Sequence, residues 1–453
     1  MKYSAVILAA GKGVRMCSEL PKVVHRVAGM PMIVHVINAV KKAGIDDIIT
    51  VVGYGREKVE EIVSSAGVQL VTQEEQLGTG HALMQAEKKI DPDSTVVVLA
   101  GDTPLVQPST VKNLLEAHCK EQAAATVLST ELSNPYGYGR IVRGSDNSFS
   151  RVVEEKDASE TEKQIREINT GMYCFAASEV FDALSTLNPD NAQKEYYLTD
   201  VLTVLKNKGK KVSVLLGDAE EDVYGVNDRV QLSHAEAVMR KRKNMELMKK
   251  GVTIIDPATT FIDSSVEVGR DTVILPFTLI EGGTVIGERC EIGPGVRISD
   301  SIIGSGVTIE SSRIKSAIIG DECTVGPYSY LRPETILHRG VKVGDFVEIK
   351  KSTIGENSKI PHLSYVGDAV VGKGVNVGAG TITCNYDGKN KHQTILEDGV
   401  FIGSNTNLVA PVKLGKNSST GAGSTITRDI PANSLGVERA KQRNIKDWFL
   451  RKK

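Results

Sequence analysis

The chain has 453 residues, 40% of them hydrophobic and 25% charged, with a formal net charge of −1. That length exceeds one ordinary core, so two or three domains are expected. The near-neutral balance argues against a general nucleic-acid or membrane-surface binder, which would carry a basic excess. Six scattered cysteines (Cys17, Cys119, Cys174, Cys290, Cys323 and Cys384) form no CxxC pair, which predicts reduced thiols in the cytoplasm and neither a disulfide framework nor a zinc site. The first apolar run, residues 5–10, is too short for a signal-peptide core. No stretch approaches the length of a bilayer span, so no membrane insertion is expected.

In chain order, residues 4–10, 48–53 and 95–100 read as buried strands, and residues 31–43 and 57–66 have helical spacing. This alternation predicts an α/β unit, a parallel sheet covered by helices on both faces, with ligands beyond the carboxyl ends of its strands. Two motifs stand at such ends. Leu8-Ala9-Ala10-Gly11-Lys12-Gly13 follows the first strand; its glycines let backbone N–H groups approach phosphate oxygens, and a helix start after it would favour anions. Ala100-Gly101-Asp102-Thr103-Pro104 places an acid after the third strand. Asp102 could be a turn former; as a carboxylate beside phosphates it suits Mg²⁺.

Residues 228–250 are rich in Ala, Met, Leu, Lys, Arg and Glu and predict a long helix, with Gly251 as its C-terminal cap. The basic run 240–243 is expected to be a solvated helix face. After Gly251 the period becomes six: Val268, Ile274, Ile280, Ile286, Ile292 and Ile298 are evenly spaced. The ladder slips by one at Ile303, then continues through Ile309, Ile319, Val325 and Leu331 and returns at Ile354, Ile360, Val366, Val371 and Val377. Neither a helix nor an alternating strand has that period; a β-helix with one inward aliphatic per short side does. The organisation expected is therefore a first domain over 1–227, a helical linker over 228–250 and a β-helix over 251–453.

These residues carry two resemblances. The ladder resembles the hexapeptide-repeat acyltransferases, which implies a left-handed parallel β-helix and a homotrimer. Leu8 to Met16 with Pro21-Lys22 resembles the sugar-1-phosphate nucleotidyltransferases, which implies a Rossmann-like fold. In that family Arg15 and Lys22 neutralise charge on the triphosphate and departing pyrophosphate. Asp102 and Asn227 are implied Mg²⁺ ligands. Leu8, Ala9, Ala10, Gly11, Lys22, Gln73, Gly78, Thr79 and Asn227 are implied to contact UTP or the UDP-sugar, and Gly139, Glu154 and Asn169 the N-acetylsugar. Val14 stands where threonine is usual, so residue 14 receives no side-chain role. Lys194 replaces a usual glycine in Asn191-Ala192-Gln193-Lys194-Glu195-Tyr196-Tyr197.

In the later coils unusual residues accumulate. Acetylating a sugar amine needs a base for its proton, and His362, in Pro361-His362-Leu363-Ser364-Tyr365, has that chemistry and matches the family's base. By the same likeness Arg332, Lys350, Tyr365 and Asn376 bind the acceptor sugar phosphate. Ala379, Asn385, Tyr386, Ser404, Ala422 and Arg439 match acetyl-CoA positions, with Lys391 a further coenzyme candidate. The motifs run in order along nearly the whole chain and resemble the bacterial bifunctional uridylyltransferase–acetyltransferases. That likeness implies synthesis of UDP-N-acetylglucosamine from glucosamine-1-phosphate, acetyl-CoA and UTP. The competing expectations are a nucleotidyltransferase with an inactive β-helix and a non-enzymatic trimeric scaffold.

Overall fold

A computed structural model describes residues 2–191, 193–217 and 220–451; Ala192 of the Asn191–Tyr197 motif lies outside the described residues. The chain forms two compact units, Met1–Met239 and Arg240–Lys453.

In the first unit the expected strands and helices form as Tyr3–Ala9, Asp47–Val52 and Thr95–Ala100, and as Met32–Lys42 and Arg56–Val63. The strands belong to a nine-stranded sheet. Its main path runs Val212–Leu216, Ala125–Glu131, Glu167–Ala176, Thr95–Ala100, Tyr3–Ala9, Asp47–Val52, Gln69–Thr72. Alternate residues of one strand enter two different cores: Val6, Val96 and Val98 pack on one face, and Ala5, Ile7, Val97 and Leu99 on the other. Both faces are therefore covered, as a βαβ unit requires. The sheet is mixed, however, where an all-parallel one was expected. Glu167–Ala176 runs antiparallel to both of its neighbours. Between it and Ala125–Glu131 the chain makes the hairpin Arg140–Arg143 with Phe149–Val153 in place of a crossover helix, and a strand that returns without a crossover pairs antiparallel.

The second unit is built from three parallel sheets of eleven, ten and nine short strands. Successive ladder residues go to successive sheets. Ile274 pairs with Ile292 in the first, Ile280 with Ile298 in the second, and Ile286 with Ile303 in the third. The six-residue period is thus one step around the coil. In the first sheet the register runs Ile274, Ile292, Ile309, Val325, so coils advance by 18, 17 and 16 residues, and the slip at Ile303 is a coil shortened by one. All these aliphatics lie in one continuous core, with Val268 partly buried against it.

The helix Arg229–Lys249 ends as expected. Gly251 has φ +92, its N–H donates to Met248 O at 3.1 Å, and the N–H of Val252 donates to Leu247 O at 3.1 Å. These are the two bonds of a Schellman cap. The basic run is not a uniformly solvated face. Arg240 lies over the Phe261 ring at 4.2 Å and Lys243 is buried, because long cationic side chains cover apolar surface with their stems.

Candidate active sites

In the first unit a cavity of about 400 Å³ opens at the carboxyl ends of Tyr3–Ala9 and Thr95–Ala100. Leu8, Ala9, Ala10, Gly11, Lys22, Gln73, Gly78, Thr79, Asp102, Glu154 and Asn169 all line it. A larger cavity, about 490 Å³, contains none of these residues, and two of its polar groups, Thr110 and Asp222, are bonded to each other.

The glycine loop closes tightly. Gly13 has φ +65, and a Cβ there would stand 2.6 Å from Lys22 Cβ, so its backbone brings Lys22 up to the loop. The loop leads into a single 3-10 turn, Val14–Met16, where a helix start was expected. An anion here would meet loop N–H groups and cations, without a helix dipole. Val14 is 75% exposed. Arg15 is exposed on the same turn and is not among the cavity's lining residues.

Lys22 Nζ contacts the Asp102 carboxylate and lies 3.0 Å from Asn227 Oδ1. The N–H of Val226 donates to Asp102 O at 2.9 Å, which sets Asn227 beside Asp102. Two oxygen donors thus converge on one cation. That donor set fits Mg²⁺, which takes one or two protein ligands and completes its shell with phosphate and water oxygens. Among the described residues no cluster of three or more His, Cys, Asp or Glu offers an all-protein cage.

Gly78 (φ +105) faces Tyr196 O, which a Cβ would meet at 2.7 Å. The N–H of Leu198 donates to Thr79 Oγ1 at 3.1 Å. Gln73 Nε2 donates to Gly78 O at 3.1 Å. At the opposite wall a β-bulge between Asn169 and Tyr173 re-aims the strand, and Asn169, Gly171 and Tyr173 all line the cavity. Asn169 N–H donates to Gly139 O at 2.8 Å, and Gly139 sits against the Glu154 carboxylate. Burial, above all, pushes the Glu154 carboxyl up from its ordinary value, against a hydrogen bond from Thr199 Oγ1 at 3.2 Å that favours the anion. Lys194 keeps φ +56, so the loop retains a glycine-like conformation without glycine. Gln76, Gly171, Tyr173, Glu195 and Thr199 also line the cavity and were not singled out from sequence. Strand alternation from Asn169 could have found Gly171 and Tyr173; no comparable signal marks Thr199.

In the second unit the register aligns two columns. Lys359, Asn376, Phe401 and Ser419 pair in sequence along the first sheet, which places His362, Ala379, Ser404 and Ala422 above one another three residues later. Backbone bonds follow the column: Gly380 N–H donates to Leu363 O, Asn405 N–H to Ala379 O and Gly423 N–H to Ser404 O, at 3.1, 2.7 and 2.8 Å. Arg439 Nη1 donates to Ala422 O at 2.9 Å. His362, Ser404 and Ala422 are exposed.

The neighbouring sheet carries the cations. Tyr330 pairs with Glu348 and Glu348 with Tyr365, so Arg332 and Lys350 are one coil apart. Arg332 Nη1 lies 2.7 Å from Glu348 Oε1. Lys350 Nζ lies 3.9 Å from Asp368 Oδ2, and Asn385 Nδ2 reaches both that oxygen, at 2.5 Å, and the Tyr365 hydroxyl, at 3.4 Å. The neighbouring Lys391 ammonium, then burial, lowers the Lys350 pKa against the Asp368 carboxylate, which raises it, and the Arg332 charge adds to the lowering. Lys391, expected on the coenzyme side, thus stands in the cation cluster. Asn376 is half-buried beside the column of His362. Asp368, the acid joining Lys350 and Asn385, carried no sequence signal.

The fold and these two sites define a nucleotidyltransferase joined in one chain to a hexapeptide-repeat transferase. Residues 5–203 match the MobA-like NTP transferase domain, 257–345 the GMPPB C-terminal domain, and 393–428 the bacterial transferase hexapeptide (six repeats). The chain is 65% identical over 445 residues to the bifunctional protein GlmU of Syntrophomonas wolfei, covering 98% of this chain and 99% of that one. It is 56% identical to that of Carboxydothermus hydrogenoformans, covering 98% and 99%, and 53% identical to that of Heliobacterium modesticaldum, covering 100% and 98%. The chain belongs to the family of bifunctional GlmU proteins and is a two-activity transferase.

Proposed function

We propose that the chain makes UDP-N-acetylglucosamine in two steps, a precursor for peptidoglycan and lipopolysaccharide-type envelope polymers. The second unit transfers acetyl from acetyl-CoA to the amine of glucosamine-1-phosphate. The amine nitrogen attacks the thioester carbonyl carbon, the C–S bond breaks, and His362 takes the amine proton and returns it to the departing thiolate. Arg332 and Lys350 neutralise the sugar phosphate, with Tyr365 and Asn376 as further sugar contacts. The ledge of Ala379, Ser404 and Ala422 with Asn385, Tyr386 and Arg439 seats the coenzyme.

The first unit then joins N-acetylglucosamine-1-phosphate to UMP. A sugar-phosphate oxygen attacks the α-phosphorus of UTP, the bond to the β-phosphate oxygen breaks, and pyrophosphate leaves. Gly11 and its neighbours offer N–H groups to the triphosphate, Lys22 and Arg15 balance its charge, and Gln73, Gly78 and Thr79 face the nucleoside. Gly139, Glu154 and Asn169 hold the N-acetylsugar. Asp102 and Asn227 would hold Mg²⁺, which when bound supplies charge neutralisation at the phosphates. Lys22 must then yield its place between them and turn to the phosphates.

The observation that carries this reading is the pairing, in one chain, of the Lys22–Asp102–Asn227 convergence with the Arg332–Lys350–Asn385 cluster beside the His362 column. Glucosamine-1-phosphate, acetyl-CoA, UTP and Mg²⁺ supplied together should yield both free CoA and pyrophosphate. Pyrophosphate only from pre-acetylated sugar would leave a nucleotidyltransferase alone, and neither product would leave a scaffold.

A homotrimer is part of this proposal. Tyr328, Phe346 and Leu363 lie 63%, 59% and 63% exposed in one corner column, and the first two stack at 5.5 Å. Apolar side chains so exposed suit burial by further copies; light scattering that gives a monomer would overturn it. The six cysteines, none in a disulfide, suit a reducing compartment such as the cytoplasm. Among the described residues no helix is long and apolar enough to cross a membrane.

A further inference from the structure

Residues 385–392 leave the coil between the strands Ile382–Cys384 and Thr394–Leu396. The interior of this loop is exposed, and its only large apolar side chain, Tyr386, is 61% exposed. Packing therefore does not give the loop its shape. Hydrogen bonds do, three of them to one carboxylate. Asp387 Oδ1 accepts the backbone N–H groups of Lys389 and Asn390 at 2.8 and 2.7 Å, and Asp387 Oδ2 lies 2.7 Å from His392 Nε2. The N–H of His392 donates to Asn385 O at 2.8 Å, and Tyr386 forms an antiparallel bridge with Lys391. The Asn390 N–H, then His392, hold the Asp387 carboxyl far below the usual carboxylate range, so Asp387 is ionised near neutral pH.

The two ends of the loop carry groups that meet in the cation cluster. Asn385 bonds to Asp368 and Tyr365, Asp368 Oδ2 lies 3.9 Å from Lys350 Nζ, and the bond from His392 N–H to Asn385 O sets Lys391 at this same end of the loop, where its charge lowers the Lys350 pKa. Two neighbouring ammonium groups repel, and an exposed lysine stem is free to swing into water unless its backbone is held. Lys391 precedes His392 directly, so the brace to Asp387 acts on the backbone that carries it.

We propose that Asp387 and His392 form a positioning pair that closes this loop and holds Lys391 against Lys350, assembling in advance a receptor for a phosphate monoester. The inference rests on the reading of this cluster as the sugar-phosphate site. Neither residue touches the reacting atoms. Their work is done before substrate arrives: an incoming dianion finds two cations already gathered and need not order a mobile loop.

His392→Ala in the full-length enzyme should raise the KM for glucosamine-1-phosphate by about tenfold and leave kcat within about threefold. His392→Gln, whose amide can still donate to Asp387, should restore most of that loss. In a Lys391→Ala background, His392→Ala should add almost nothing, because the pair acts through Lys391. Hydrogen exchange at the Lys389 and Asn390 amides should quicken in His392→Ala, a readout independent of turnover. An unchanged KM in the active enzyme overturns the pair even if exchange quickens, as does a KM effect that persists undiminished without Lys391. A wild-type enzyme that does not acetylate glucosamine-1-phosphate sinks the reading of the site itself, and the pair with it.

Discussion

On the proposed reading Asp102 and His362 serve different reactions, and single substitutions should separate them. Asp102→Ala removes one of the two oxygens that converge on Lys22 and should slow uridylyl transfer on the order of a hundredfold or more, with acetyl transfer intact. His362→Ala should do the reverse, slowing acetyl transfer by about a hundred- to ten-thousand-fold through kcat. Paired assays on each purified variant check this; a folded variant that loses both activities together would undo the assignment. Glu154 gives a pH test. Burial raises its pKa above the ordinary value, so the folded chain holds this proton more tightly than the unfolded one. Its stabilising contribution is full below the ordinary carboxylate pKa and is lost as pH rises toward the raised value. Glu154→Gln cannot ionise, so its melting temperature relative to wild type should climb from about pH 4.5 to pH 7. A pH-independent difference would contradict it. The motifs made Leu8 to Gly11, Asp102 and His362 visible as residues. Asn227, Thr199 and Asp368 were invisible to local reasoning, because their places depend on where distant strands end and a motif records only its own neighbourhood.

At the level of elements, the ladder was legible because each coil repeats one physical demand, an aliphatic at the inner face of every short side. Ile298 meets it: it is fully buried between Ile280 and Ile314 in the second sheet. Ile298→Ala should cost about 2–5 kcal/mol, seen as a lower urea midpoint for the β-helix transition, while uridylyl transfer at room temperature stays unchanged. A loss below about 1 kcal/mol would mean the coils collapse onto the gap. The antiparallel strand Glu167–Ala176 was not legible, since strand direction is set by the connection and a hairpin leaves no periodic mark. The helix Arg229–Lys249 was legible as a helix, but its packing was not. Ala235 and Val238 join Val27, Met32 and Leu105 in one core, whereas Leu247 joins the β-helix core, and Asn244 Nδ2 donates to Pro257 O and Thr260 O, both at 3.2 Å.

For the whole molecule, that division says where the chain can be cut. Fragments 1–239 and 240–453 should each fold, the first transferring UMP to pre-acetylated sugar and the second acetylating. Ending the first near residue 229 would strip Ala235 and Val238 from their core and should lower its melting temperature. If neither fragment folds while the intact chain does, the units are not autonomous. The stacked column of His362, Ala379, Ser404 and Ala422 has a metric consequence. Neighbouring strands of a sheet are about 4.8 Å apart, so three coil steps measure roughly 14 Å from His362, the proposed base, to Ala422 at the far end of the proposed coenzyme ledge. The coil is then a ruler graduated in whole strands, and on the proposed reading the thioester's carrier must be as long as the ruler. Adding a coil before Asp345 would move the ruler without changing its scale. Adding one between His362 and Ala422 would lengthen it by one graduation and part the reacting carbon from its base.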